Sequence, residues 1–200
     1  MKKVYLIAAG IVLSSSVYAQ KVEGSLDFLK EVEELNIQFE YKGMMIKKQT
    51  EQQYVAEQVK EKNKDQKGKG DEWKSAWETS DRDYIQEVFL KDFNAEVAGM
   101  GIDGGDYPNS LYTATVRTVW LDPGYMAGPM TKPSVVTVEI VFTKQGSNKP
   151  IAKVRISKAK GSLYDFGNTY GSDARRIGSS YGEAGEKLGK VTAKILQKKK

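Results

Sequence analysis

The chain ends in a long amphipathic stretch, from about residue 172 to residue 196, that restricts the fold more than any other feature. Its apolar residues recur at alternating spacings of three and four, the period of one helix face. They are Ala174, Ile177, Tyr181, Ala184, Leu188, Val191 and Ile195. Beside them lies a stripe of glycines, Gly178, Gly182, Gly185 and Gly189. Because each glycine inside a helix costs about 1 kcal/mol relative to alanine, we expect this helix to approach a sheet or another helix closely.

Several upstream segments have the pattern of β-strands. Residues 35–41 alternate strictly between apolar and polar side chains, as half-buried strands do. Three further strand-like runs follow at 111–121, 135–143 and 151–159. The run at 135–143 carries apolar residues on both faces, which predicts a central strand. The short connection before the last run favours antiparallel pairing.

Two helices are predicted between the first strand and the later group. Residues 50–62 indicate a polar helix with a thin apolar stripe, and residues 80–97 a helix with a stronger apolar repeat. The Lys- and Gly-rich stretch near 60–71 is predicted to be an exposed, mobile connection. Residues 20–200 are therefore predicted to form a single α+β domain. It would contain a mixed, mostly antiparallel sheet of about four strands with helices chiefly on one face, in the order β-α-α-β-β-β-α.

Residues 1–19 have the organisation of a cleavable signal peptide. Lys2 and Lys3 precede an apolar core of about ten residues, and Val17-Tyr18-Ala19 suits signal peptidase. A helix that spans a bilayer needs about twenty apolar residues, so the short core indicates a removable leader. We therefore expect a mature protein, residues 20–200, that is periplasmic or secreted and has no transmembrane segment. Nucleic acid is not an expected partner there.

The chain has no cysteine and no histidine. This excludes disulfides, Ser-His-Asp and Cys-His nucleophiles, and zinc sites of the usual composition. Carboxylate, lysine or tyrosine chemistry and oxygen-ligated cations remain. The composition favours a non-catalytic protein with no cofactor and no metal. The alternative enzyme is a hydrolase with paired carboxylates, for which Asp103, Asp106 and Asp122 are the candidates.

Two short motifs match nucleotide-binding signatures without their context. Residues 99–104 fit G-x-G-x-x-G, but a helix is predicted before them and Tyr107-Pro108 follows, whereas the signature needs a strand before and a helix after. Asp165-Phe166-Gly167 matches a kinase tripeptide, but the chain has no histidine for a kinase catalytic loop. Neither motif predicts a nucleotide site.

Charge is distributed unevenly along the chain. From Lys144 onward there are 14 Lys and Arg against 4 Asp and Glu, whereas Lys21 to Thr143 has 15 against 22. A basic surface could bind an anionic envelope component or an acidic protein surface. Its candidate residues are Lys153, Arg155, Lys158, Arg175 and Arg176. Alternate residues of a strand share a face, so Lys153 and Arg155 should lie together.

Trp73 and Trp77 are four residues apart, on the approach to the predicted helix at 80–97. Aromatic pairs at this spacing usually pack inward. The alternative is that both rings, together with the sheet, line an apolar pocket for a small ligand.

The order of elements and two phrases resemble a group of uncharacterised bacterial envelope proteins. The phrases are Val-Trp-Leu-Asp-Pro-Gly at 119–124 and the segment 175–190, which begins Arg-Arg-Ile-Gly. Many members of that group are lipoproteins with a small α/β sandwich, similar in outline to the curli-secretion lipoprotein domain. The resemblance covers about residues 110–197 and implies an envelope location without catalytic residues. This chain lacks the group's lipid-attachment cysteine, so no lipid anchor is expected.

These observations lead to three hypotheses. The first is a non-catalytic exported envelope protein with an interaction or accessory role in the periplasm. The alternatives are a small-ligand-binding periplasmic protein and a carboxylate-dependent hydrolase.

Overall fold

The computed structural model describes residues 20–127, 130–162 and 173–198. The predicted signal peptide and the Asp165-Phe166-Gly167 motif lie outside these ranges. The strands are β1 (Lys21–Gly24), β2 (Glu34–Glu40), β3 (Met45–Ile46), β4 (Gln49–Thr50), β5 (Asp103–Gly105), β6 (Tyr112–Asp122), β7 (Tyr125–Ala127), β8 (Met130–Lys132), β9 (Val135–Lys144) and β10 (Pro150–Lys160). The helices are α1 (Glu51–Asp65), α2 (Lys69–Glu78), α3 (Ser80–Val97) and α4 (Asp173–Gln197).

The fold is α+β with a mixed sheet. Eight strands form the main sheet, in which the order is β1-β10-β9-β6-β2-β5 and β3 joins β6 and β4. Strands β6, β9 and β10 are antiparallel neighbours, whereas β2 runs parallel to both β6 and β5. Strands β7 and β8 form a separate hairpin. The predicted count of about four strands is wrong because β1, β3, β4 and β5 have only two to four residues each. Alternation over so few residues gives no usable signal.

The central strands bury one face beneath α3 and α4. The buried side chains of that face include Val116, Val138, Ile140, Phe142, Val154 and Ile156. Helix α4 contacts β9 and β10, and α3 packs along α4. The apolar stripe of α4 is buried at Ile177, Tyr181 and Leu188, each of which is at most 1% exposed. The periodicity therefore identified both the helix and the side on which it packs.

The glycine stripe of α4 faces α3, so the expected close approach is confirmed. A Cβ on Gly178 would lie 2.8 Å from Tyr84 Cε1, and one on Gly189 would lie 2.5 Å from Glu96 Cβ. A Cβ on Gly185 would be 3.0 Å from the carbonyl carbon of Phe89. The contacting residues occur in the same order along the two helices, so α3 and α4 run side by side in the same direction.

The opposite face of the sheet is polar and carries a row of charges. Cross-strand pairing aligns Glu40 with Arg117, Arg117 with Glu139, and Glu139 with Arg155. Directly opposed residues share a face, so the four side chains form a ladder of alternating sign. Arg117 Nε donates to Glu40 Oε2 at 2.7 Å. Exposed pairs of this kind contribute little to stability. The two acidic and two basic side chains of the ladder have no net charge.

The stretch near 60–71, predicted to be an exposed, mobile connection, is mostly helical. Helix α1 continues to Asp65, and α2 begins at Lys69, so only residues 66–68 link them. Gly68 has φ 90°, a conformation that suits glycine at a tight turn. Gly70 permits the two helices to meet, because a Cβ there would lie 2.8 Å from Val59 Cα. Lys, Glu and Gln are good helix formers, so polarity alone did not indicate a loop.

The edge of the sheet at β5 is closed by a side chain. Asn94 of α3 donates from Nδ2 to the carbonyl oxygen of Gly104 and accepts the Gly104 N–H at Oδ1, both at 2.8 Å. Its carboxamide therefore makes the two hydrogen bonds that a residue of a neighbouring strand would otherwise make. Among the described residues, no helix is long and apolar enough to span a membrane.

Candidate groove on the helical hairpin

A groove of about 580 Å³ lies along the α1–α2 hairpin, where α3 begins. Its apolar lining comes from Val55, Ala56 and Val59, which recur at helical spacing on α1. The charged side chains that line it are Glu51, Asp71, Lys74, Glu78 and Arg82. The groove thus combines an apolar strip with carboxylates and cations, which suits an amphipathic segment.

One end of the groove is held in place by Glu51. Its Oε1 accepts a hydrogen bond from Trp77 Nε1 at 2.9 Å and from Arg82 Nη2 at 2.7 Å. Glu51 is the first residue of α1, where a negative charge is favoured by the helix dipole. The Arg82 guanidinium also lies over the ring of Tyr41, with 4.6 Å to the ring centroid. These contacts join α1, α2 and α3 at one point, so the end of the groove is preorganised.

The start of α1 is fixed by its sequence. The Thr50 hydroxyl accepts the Gln53 N–H, and the Gln53 side chain accepts the Thr50 N–H, so the two residues form a capping box. The cap sets where the helix begins, and therefore which residues of α1 face the groove.

Trp73 and Trp77 pack against each other beside the groove. Their rings are stacked with centroids 5.4 Å apart, and Tyr54 lies 5.7 Å from Trp77. Burial raises the pKa of Tyr54, so its hydroxyl stays protonated near neutral pH. Lys62 Nζ lies 5.4 Å from the centroid of Trp73, a cation–π arrangement. The cluster therefore holds the two helices of the hairpin together.

The small-ligand hypothesis requires a pocket lined by both tryptophans, and neither the groove nor the small cavity at Trp77 is lined by both. Trp77 is 4% exposed, and the cavity at its ring has a volume of about 10 Å³. A space of that size holds at most one water molecule. Neither ring lines the larger groove. The sequence offered both interpretations of the pair, and the structure places the rings in packing contacts.

The five basic residues proposed for partner binding do not form one surface. Lys153 and Arg155 lie on the polar face of the sheet, where Lys153 Nζ is 4.0 Å from Glu139 Oε1. Lys158 occupies an irregularity of β10 with φ 54°, and its N–H donates to Thr137. Arg175 is exposed on α4, in the other layer of the fold. Lys153 and Arg155 lie on the face of the sheet that points away from α4, so they do not share a surface with Arg175.

Arg176 is buried, which rules out the contact role predicted for it. It is 6% exposed; its Nε donates to the carbonyl oxygen of Pro123 at 2.6 Å, and its Nη2 lies 2.5 Å from Asp173 Oδ1. A buried arginine needs such partners because desolvation of an unpaired charge is costly. Residue type revealed the charge of Arg176 but not the side of the helix on which it lies.

Asp122 lies far from the other two candidate carboxylates of a hydrolase. Asn36 of β2 aligns with both Gly105 and Thr113, so Asp103 and Asp106 lie near the start of β6. Asp122 ends β6, and a strand of that length spans about 30 Å. Glycosidase carboxylates are separated by about 5–10 Å, so Asp122 cannot form such a pair with Asp103 or Asp106.

Asp122 has a structural role instead. Its Oδ2 accepts from Lys132 Nζ at 2.5 Å, and its Oδ1 accepts the Gly124 N–H at 3.0 Å. Burial opposes its charge, but these two hydrogen bonds and the positive charges of Lys132 and Lys47 together outweigh burial and hold the pKa of Asp122 below its usual value. In the described ranges, no group of three or more acidic side chains is placed to hold a metal ion.

The sequence matches no protein-family model and no curated protein. A similar solved structure is the PelC dodecamer from Paraburkholderia phytofirmans. It has 8% sequence identity and a TM-score of 0.41, and the alignment covers 85% of this chain and 96% of that chain. The family of this chain is therefore not assigned, and the envelope-protein resemblance remains a prediction.

The groove was not identified from the sequence, although one signal for it was present. The thin apolar stripe of α1 contains Val55 and Val59, four residues apart in an otherwise polar helix. Such a stripe indicates packing, and both valines do pack against the core, but Ala56 beside them is exposed in the groove. The contacts of Glu51 with Trp77 and Arg82 join residues about thirty positions apart and left no local signal.

Proposed function

We propose that this protein is an exported, non-catalytic envelope protein that binds an amphipathic helical segment of a protein partner in the groove of its α1–α2 hairpin. The observation that carries the proposal is the groove itself, with its apolar strip on α1 and its charged lining. Helices that bind in grooves place residues at three- and four-residue spacing against apolar strips of this kind. The signal-like N-terminus supports the export part of the proposal.

Preorganisation supports binding at this place rather than elsewhere on the hairpin. Glu51 is already hydrogen-bonded to both Trp77 and Arg82, and the capping box fixes the first turn of α1. Binding to a rigid groove avoids part of the entropy cost of ordering side chains and backbone. Ala56 and Gln52 are exposed and line the groove, so a partner segment can reach them.

The lining also defines the chemistry of the partner. Two cations, Lys74 and Arg82, and three carboxylates, Glu51, Asp71 and Glu78, surround the apolar strip. Lys74 and Glu78 lie 4.0 Å apart, and Arg82 is paired with Glu51, so Asp71 is the rim charge without an ion pair among the described residues. A segment with an apolar face and a basic residue at its edge would fit this arrangement.

Site-specific photocrosslinking in the cell envelope tests the proposal. A photoreactive amino acid at Gln52 should yield a defined crosslinked product. The matched control places the same amino acid at Glu61, which is exposed on the other side of α1 and does not line the groove. Ala56→Arg should remove the Gln52 product, because the large charged side chain fills the apolar strip. Ala56 is exposed, so the variant should keep the circular dichroism spectrum and Tm of the original protein.

Two outcomes would contradict the proposal. Equal yields of crosslinked product from positions 52 and 61 would mean that the partner does not bind preferentially in the groove. A Gln52 product that persists in Ala56→Arg would mean that the partner does not enter the groove. Mass spectrometry of the N-terminus of the envelope-derived protein tests export separately, because cleavage before Gln20 is expected.

A further inference from the structure

Strand β1 is an end strand of the main sheet. It pairs with β10, and no described strand pairs with its other side. A strand in this position presents unpaired backbone N–H and C=O groups, which can pair with another chain. The β5 end of the sheet differs, because the carboxamide of Asn94 occupies the backbone groups of Gly104 there. The exposed edge of β1 is therefore the place where a further strand could join.

The side chains of β1 are self-complementary. Lys21 and Glu23 lie opposite Arg155 and Lys153, so both belong to the polar face of the sheet. Their side chains are 70% and 53% exposed, and they pair with each other within the chain, with 2.7 Å between Lys21 Nζ and Glu23 Oε1. Val22 points to the other face and is 44% exposed, an unusual amount for a valine. Opposite charges on either side of an exposed apolar residue form a pattern that a second copy can match in the antiparallel direction.

One register satisfies all three side chains. When Val22 lies opposite Val22 of a second copy, each Lys21 lies opposite a Glu23, and the apolar side chains meet on the helix-bearing face. A shift of two residues in either direction places Lys21 opposite Lys21 or Glu23 opposite Glu23. A shift of one residue places charged side chains opposite Val22 and would put the two helical layers on opposite faces. The sequence of β1 therefore favours a single symmetric arrangement.

We propose that two copies of this protein associate through antiparallel pairing of their β1 strands, with a two-fold axis at Val22. The two sheets then become one continuous sheet with the helices of both copies on the same face. Such an interface is isologous, because each residue meets its counterpart across the axis. Four residues per strand bury less surface than a standard interface of about 1,200–2,000 Å², so the dimer is reversible. Lysine on an edge strand often prevents pairing, but alternation with glutamate removes that effect here.

Charge reversal and complementation test the proposal by analytical ultracentrifugation over a concentration series at low salt. The protein recovered from the cell envelope should show a reversible monomer–dimer equilibrium. Lys21→Glu and Glu23→Lys should each weaken dimerisation about tenfold or more, because two attractive cross-strand pairs become repulsive. An equimolar mixture of the two variants should form a heterodimer, since all the facing charges are then opposite. The double variant Lys21→Glu/Glu23→Lys should dimerise like the original protein.

These variants distinguish a loss of dimerisation from a loss of folding and from a change in the groove. Lys21→Glu loses the exposed ion pair with Glu23 but places an acid opposite Arg155 of its own chain, so β1 should remain docked and the circular dichroism spectrum should be unchanged. Ala56→Arg, which alters the groove, should leave the equilibrium unchanged. A protein that stays monomeric at millimolar concentration would overturn the proposal, as would Lys21→Glu dimerising as tightly as the original. Failure of the mixed variants to associate would overturn the register.

Discussion

The close contact between α3 and α4 predicts a large difference between two glycine-to-alanine substitutions on the same helix face. In Gly185→Ala, the new Cβ would clash with the carbonyl oxygen of Phe89 and lie 3.0 Å from its carbonyl carbon. These are backbone atoms of α3, so one helix has to move. Overpacking of this kind costs about 1–3 kcal/mol or more, and alanine returns about 1 kcal/mol of helix propensity. Because the clash is with backbone atoms rather than a mobile side chain, we take the upper end of that cost, about 3 kcal/mol, and expect a net destabilisation of about 2 kcal/mol.

Gly178→Ala is the matched control. Its Cβ would lie 2.8 Å from Cε1 of Tyr84, but that side chain is 38% exposed and can rotate away. The propensity gain then offsets the contact, and the free energy of unfolding should change by less than about 0.5 kcal/mol.

Urea unfolding followed by circular dichroism measures the free energy of unfolding of both variants, and thermal unfolding gives their Tm. For a protein of this size, about 2 kcal/mol corresponds to a Tm about 4–8 °C lower for Gly185→Ala. If Gly185→Ala were as stable as Gly178→Ala, the glycine stripe would not be explained by backbone contact with α3.

Two further predictions concern buried polar groups. Tyr181→Phe should destabilise the protein by about 1–3 kcal/mol in urea unfolding, because it leaves the buried Thr118 hydroxyl, 2.6 Å from the Tyr181 hydroxyl, without its partner. Adding Thr118→Val should restore much of that loss, and a double variant that showed the sum of both single losses would refute the pairing. Asp122→Asn should lower the Tm at pH 7 by an amount that shrinks as the pH falls below about 4. The folded-state pKa of Asp122 is depressed below 3.8, so its stabilisation is present above that pH and lost on acidification; a difference independent of pH would contradict this.

The sequence predicted the long elements well because their periodicity extends over many residues. Helix α4 and strands β6, β9 and β10 lie close to their expected positions, and the glycine stripe correctly indicated close packing of α4. The short strand β1 depends on a partner about 130 residues away, so no local pattern could identify it.

The candidate site was predicted less well, for a related reason. The spacing of Trp73 and Trp77 was compatible with a pocket or with packing, and only the position of α1 decided between them. Likewise, the net positive charge of the last third did not reveal that Arg176 is buried while Lys153 faces Glu139. Composition describes the charges that a surface contains, but three-dimensional pairing decides which of them are available.

The hydrogen bonding of the Asn94 side chain to Gly104 affects how the sheet can aggregate. A sheet with two open edges can add copies at both ends and grow into a fibre, and such growth is a common route to aggregation. Here the amide of Asn94 occupies the backbone groups of Gly104 at the β5 end, so in the proposed dimer the sheet would not extend through β5. A single side chain on a helix can thus protect the edge of a sheet from pairing with another copy.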